Sequence, residues 1–314
     1  QMCIRDRANT PYSIGYVHEA DIPVQYKLAE AFTVGDMYYE SIMSSTAPNR
    51  VSWFSGTINP PKGSKVNGTN KYMGGPTLDN RDSVGCERTD SGKPFSCVPL
   101  RWKTVPEYLQ EAGISWRVYQ DKDNFGDDPL VMWKQYQTSA KKKGDLAQRG
   151  TSFPGLQKFF DDARDGKLPE VAYIVAPMQL SEHPPYMPMD GAWLQGEVAK
   201  AVMHGKNWDS TALIYSYDET GGWADHVVSP YPPQSEESEW IEDPYDKSNG
   251  IAPIGPGFRL PFYIVSPWTS GGHVFTEHAA HESQIMFLEQ WALAHGKPFT
   301  SEEIPTWRRE QLSD

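Results

Sequence analysis

Four short apolar runs, rich in β-branched and aromatic residues, most limit what this chain can become: Ile114 to Gln120, Val171 to Ala176, Thr211 to Tyr215 and Leu260 to Val265. Each has strand length and is bounded by polar or proline-containing turns. Stretches with helical spacing stand between them. Leu28, Ala31 and Phe32 share a face in 24–32, Leu156, Phe159 and Phe160 in 155–163, and Ile285, Leu288, Trp291 and Ala292 in a long segment closed by His295-Gly296. Further helices are expected from Thr104 to Ala112 and from Gly191 to His204. Strands alternating with helices over 314 residues, 38% of them hydrophobic, predict one α/β domain on a mainly parallel sheet.

Active groups of such sheets collect beyond the carboxyl ends of strands. The polar residues of this chain gather there too. The richest stretch is Tyr217-Asp218-Glu219-Thr220-Gly221-Gly222-Trp223-Ala224-Asp225-His226, directly after the Thr211 run. Adjacent carboxylates repel unless a cation sits between them, and hard oxygen donors suit a divalent metal. The plain alternative is a solvated acidic turn; the Trp and His after Gly-Gly weigh against it. Ser181-Glu182-His183-Pro184-Pro185 follows the Val171 run. A loop histidine is commonly surface decoration, but here two prolines fix the backbone beside it. Upstream, Ser45-Thr46-Ala47-Pro48-Asn49-Arg50 opens a helix that should stop at Gly56. Thr46 reads first as its N-cap, and Pro48 is tolerated in the first turn. A hydroxyl at a helix N-terminus is also placed to meet a phosphate. His278 and His281 either share a helix face at i, i+3 or are polar residues at a helix start.

Net charge of -12 and a pI near 5.2 argue against a nucleic-acid backbone as partner. No apolar run approaches the ~18 residues a membrane span needs. Cys86 and Cys97 bracket a polar loop and could pair in an oxidising compartment, while Cys3 has no obvious mate. Asn67-Gly68-Thr69 fits a glycosylation acceptor or a plain turn. Both features point to secretion. The loop-rich stretch 57–99 is expected to be a flap or rim, and 234–245 an exposed acidic rim. Gln1 to Arg7 matches no signal peptide and reads as an artefactual leader on a truncated frame, leaving 8–314 as the single domain.

The segments around Thr46, His183 and Asp218, together with Gly74-Gly75-Pro76, Asp79-Asn80, Gly255-Pro256-Gly257-Phe258-Arg259-Leu260-Pro261 and Ser266-Pro267-Trp268 through His281, form an ordered set. From about Tyr16 onward it resembles the phosphatidylcholine-type phospholipase C and acid phosphatase family of the alkaline-phosphatase-like superfamily, most of all its fungal phospholipases C. The resemblance implies a three-layer α/β sandwich, one divalent metal ion and phosphoester hydrolysis through a covalent phospho-enzyme. Thr46 becomes the nucleophile and, with Asp218 and Glu219, a metal ligand; metal coordination activates an otherwise poor alcohol nucleophile. His183 contacts the phosphoryl group or protonates the leaving alcohol, and His226 with Asp225 supports the metal pair. Asn49 and Arg50 hold phosphate oxygens or pin their loop, and His281 lines the substrate pocket. The implied partners are a phospholipid or other phosphoester and a peripheral membrane surface, with oligomeric state open. Family members begin with a strand ending in a Glu-Asn pair that completes the metal site. This sequence starts after it, so the chain is expected to lack that strand and to be nearly inactive. A phosphatase of soluble monoesters and a non-catalytic relic of the fold are the alternatives.

Overall fold

The computed structural model describes residues 15–60, 74–80, 85–88, 94–122, 124–243 and 246–313. The expected leader 1–7, Cys3, the Asn67 acceptor and much of 57–99 lie outside them. Helix α1 (Pro23–Ala31) starts on a proline, whose missing N–H costs nothing there, and leads into β1 (Thr33–Gly35). Helix α2 (Thr46–Ser55) stops at Gly56, which takes φ 80°. A Cβ there would also lie 2.4 Å from Ile304. Within the stretch expected as loop, β2 (Gly85–Arg88) and β3 (Pro94–Val98) pair antiparallel, and a disulfide joins Cys86 to Cys97. Helix α3 (Val105–Glu111) begins with a reciprocal cap in which Glu107 reaches back to the Thr104 amide at 2.9 Å. Then come β4 (Trp116–Tyr119), α4 (Lys134–Lys142), α5 (Asp145–Gly150), α6 (Leu156–Asp165), β5 (Val171–Ile174), α7 (Pro188–Met203) and β6 (Leu213–Ser216). In the acidic insert, β7 (Trp240–Glu242) pairs antiparallel with β8 (Ile251–Pro253). The chain closes with β9 (Phe262–Val265), β10 (Val274–Phe275), α8 (His281–Ala294) and α9 (Thr306–Gln311).

The fold is α/β, but its sheet is mixed rather than mainly parallel. One sheet runs β10-β1-β9-β6, with β9 antiparallel to both neighbours; β4 and β5 form a separate parallel pair. The cause is the path between β6 and β9. Arg259, just before β9, binds Asp225, just after β6, at 2.6 Å. The chain thus re-enters the sheet at the end where it left, and the returning strand must run backwards.

Alternate residues of the strands feed two layers of helices. Tyr173 and Val175 join the core that includes Val51 and Phe54 of α2 and Ile285 of α8, while Ala172 and Ile174 pack on Phe159 of α6 and Leu194 of α7. Tyr263 and Val265 of β9 pack with Leu28 of α1 and Ala199 of α7. A buried charge cluster ties the last helix to the loop before α2. Arg308, 2% exposed, binds Glu239 and Glu282 at 2.9 Å each and donates to the Ser41 carbonyl. Glu282 also accepts from the hydroxyls of Ser41 (2.7 Å) and Ser52 (2.6 Å).

Candidate active site

Thr46 is the first residue of α2 and not its cap; Ser45 takes the cap position, without a side-chain bond. The Thr46 hydroxyl instead donates to Glu219 Oε1 at 3.1 Å, across 173 residues of sequence. Asp218 and Glu219 sit just past the end of β6, where the chain leaves the sheet. Asp218 Oδ2 accepts from Arg50 Nε at 2.8 Å, and the same guanidinium reaches Asp127 Oδ2 at 3.3 Å. Burial alone pushes the Asp218 carboxyl up, but the Arg50 charge and hydrogen bond outweigh it and hold Asp218 below the ordinary carboxylate range. Glu219 goes the other way: burial and then the Asp218 charge raise it. Its Oε2 is buried without a hydrogen-bond partner.

The other expected residues divide. Asn49 does not face the site: it is fully buried, and it accepts from the Ile42 amide and donates to the Ile42 carbonyl, both at 2.9 Å, so it pins the loop before α2. Arg50 is committed to Asp218 and Asp127. His281 is the first residue of α8, whereas His278 precedes the helix, so the two share no helical face. Its Nε2 lies 2.9 Å from the Asp218 carbonyl and its Nδ1 2.8 Å from the Tyr38 hydroxyl. A carbonyl can only accept, so Nε2 carries the hydrogen and Nδ1 accepts from Tyr38. His281 therefore holds the Asp218 backbone from behind, and it also lines the cavity of about 930 Å³ that opens at Arg50, Glu182 and Asp218. His183 is exposed, with Nδ1 against the Pro184 carbonyl at 2.8 Å and its ring edge-on to Phe125. The same rule leaves its Nε2 free. Burial raises both Glu219 and Asp127, and His183 is near enough for its charge to offset a small part of that rise. His226 is not brought to the acidic pair: its side chain is 91% exposed, and Asp225 is engaged by Arg259, which holds that carboxyl down at about 2.

Two residues to which the sequence assigned no role brace the site. Glu182 ties the His183 loop to the strand end, accepting from the Tyr217 hydroxyl at 2.7 Å and from Gln195 at 2.8 Å. Glu40, 2% exposed, accepts from the Phe258 amide at 3.1 Å and from the Thr220 amide, so it braces the turn after Glu219. Its Oε2 is buried and unpartnered, and burial together with the charges of Glu219 and Asp218 raises it to about 8. Glu40 is a single acid whose partners are distant in sequence, so no local pattern marks it; Glu182 stands in the stretch singled out around His183, but its partners Tyr217 and Gln195 could not be read there.

The donors fit a hard divalent cation in kind: an alcohol, two adjacent carboxylates and an orphaned buried oxygen on Glu219. They fall short in number, because among the described residues no three His, Cys, Asp or Glu side chains converge as a metal cluster.

The sequence matches the family model described as Phosphoesterase family over residues 4–293. A non-hemolytic phospholipase C of Pseudomonas aeruginosa is 38% identical over 324 residues, which cover 98% of this chain and 43% of that protein. A non-hemolytic phospholipase C of Burkholderia pseudomallei is 33% identical over 96% of this chain and 44% of its own length. Phospholipase C B of Mycobacterium tuberculosis is 32% identical over 98% of this chain and 56% of its own. The chain thus spans about half the length of the curated relatives it matches. With the family model covering nearly all of it, the chain belongs to the Phosphoesterase family.

Proposed function

We propose that this chain carries the phosphoester-hydrolysing centre of a phospholipase C, cleaving phosphatidylcholine-type lipids to diacylglycerol and a phosphorylated head group. The observation that carries the reading is the Thr46 hydroxyl donating to Glu219 at 3.1 Å. In this reading Glu219, whose carboxyl burial and the Asp218 charge push up, takes the hydroxyl proton as Thr46 Oγ1 bonds to phosphorus. The glycerol–phosphate bond breaks, and protonated His183 gives its Nε2 proton to the departing alcohol. Water then releases the head-group phosphate from Thr46. Asp218, Glu219 and Thr46 would hold a divalent cation, which supplies Lewis-acid charge stabilisation when bound. His281, Glu40 and Glu182 position these groups. Exposed Phe125, Met187, Met189 and Trp193 lie on or near the His183 loop and favour a lipid surface over a soluble monoester. The Cys86–Cys97 disulfide supports an oxidising, extracytoplasmic location. The test is hydrolysis of phosphatidylcholine vesicles with added divalent metal, by the chain and by Thr46→Val. Thr46→Val should lose at least ~10³-fold in turnover. Hydrolysis of an aryl phosphate monoester alone would make the chain a phosphatase. No turnover on either substrate would make it a non-catalytic member.

A further inference from the structure

Residues 74–80 form a strap that reaches both arms of the candidate site. At its start the Ser44 hydroxyl, two residues before Thr46, donates to the Pro76 carbonyl. At its end the Asn80 side-chain amide donates to Asp127 Oδ1 at 2.9 Å. Asp127 offers its other carboxylate oxygen to Arg50 at 3.3 Å, and its backbone carbonyl accepts from the same guanidinium at 3.0 Å. Arg50 Nε then meets Asp218 at 2.8 Å. Asp127 is 4% exposed, so a carboxylate oxygen left without a donor would be costly there, and Asn80 supplies the donor that Arg50 does not.

The strap is itself anchored. Leu78, between the two contacts, is buried and joins the core that includes Ala47 and Val51 of α2. A Cβ on Gly74 would run into the Ile58 carbonyl, so only glycine passes there. A Cβ on Gly126, at φ 71°, would stand 3.6 Å from that of Asn80, so Asn80 packs directly on the turn that presents Asp127. The fully buried Ser96 hydroxyl of β3 bonds that of Thr77 at 2.9 Å and donates to the Gly74 carbonyl at 3.4 Å. Ser96 stands next to Cys97, so the Cys86–Cys97 disulfide closes the hairpin that clasps the strap.

We propose that Asn80 is a positioning residue of the candidate site: through Asp127 it sets the orientation in which Arg50 holds Asp218, and the disulfide-closed hairpin keeps Asn80 in place. With Oδ1 released, the Asp127 carboxylate is free to turn about its last bond and carry Oδ2 away from Arg50. Arg50 would then keep only backbone support on that side, and its fork towards Asp218 would loosen. The amide of asparagine suits the position because it donates without charge. An acid there would face Asp127, and a lysine would compete with Arg50 for it.

The inference rests on the reading of Thr46, Asp218 and Glu219 as the hydrolytic centre, but its first measurement needs no turnover. In the whole chain labelled at arginine, NMR follows exchange of the Arg50 Nε–H with water, with the Arg308 Nε–H, held by Glu239 at 2.9 Å in the remote buried cluster, as control. Asn80→Ala should quicken the Arg50 exchange by about tenfold or more and leave Arg308 unchanged. Cys86→Ser with Cys97→Ser should quicken the same Arg50 signal while keeping every atom of Asn80. On phosphatidylcholine vesicles, Asn80→Ala should lower kcat ~10-fold with KM little changed. Absence of turnover in the parent would sink the hydrolytic reading and leave the exchange result to decide this one. The proposal is overturned if Arg50 exchange is unchanged in Asn80→Ala, if Arg308 quickens equally, or if removing the disulfide leaves Arg50 as it was.

Discussion

Glu40 offers the sharpest test of the site's electrostatics. Its carboxyl is 2% exposed and raised from the ordinary 4.5 to about 8, first by burial. As pH rises, the unfolded chain releases this proton near 4.5 while the folded chain keeps it until about 8. Between those values the unfolded state binds fewer protons, so stability falls with rising pH. At ~1.36 kcal/mol per unit the full cost is ~5 kcal/mol, reached above pH 8 and absent below pH 4.5. Glu40→Gln keeps the oxygen that accepts from the Phe258 amide and removes the titration. The variant should therefore match the parent at pH 4.5 and exceed it by several kcal/mol at pH 9. Urea unfolding at intervals between those pH values, in chelator-containing buffer, measures the gap directly. A gap that stays constant within ~1 kcal/mol would refute the reasoning, because a charge-independent effect of the substitution cannot follow the proton.

Arg308→Ala leaves Glu239 and Glu282 buried and facing each other without a cation, and should cost ~3–5 kcal/mol in urea unfolding at pH 7. A Cβ on Gly257 would lie 2.0 Å from Glu40 Oε1, so Gly257→Ala should cost ~1–3 kcal/mol, and much less in a Glu40→Ala background. His281→Ala frees the Asp218 carbonyl, and should lower phosphodiester turnover ~10–100-fold with KM little changed, as measured by steady-state kinetics.

The strands and long helices were readable because their side chains repeat at fixed intervals; α2, α6, α8, β5 and β6 stand where the spacing puts them. Sheet direction was not readable. It depends on where 217–261 returns, and the contact between Asp225 and Arg259 that brings the chain back to the same end of the sheet joins residues 34 apart in sequence. The β2–β3 and β7–β8 hairpins were hidden in polar stretches without alternation. Within the site, the nearness of Thr46 to Glu219 has no basis in spacing, since 173 residues separate them; it entered through family resemblance. His226 attracted attention as the end of a dense motif, yet the Gly221-Gly222 turn, with φ of 62° and 101°, carries the chain away and leaves it in solvent.

Glu282 gathers two serine hydroxyls from either side of Thr46 and a guanidinium from the last helix onto one carboxylate. These partners are 241, 230 and 26 residues away along the chain. During synthesis, the segment bearing Thr46 therefore emerges long before the groups that fix it. Its final geometry can be reached only after α9 has left the ribosome, so a nascent chain stalled before Arg308 should hold Thr46 loosely.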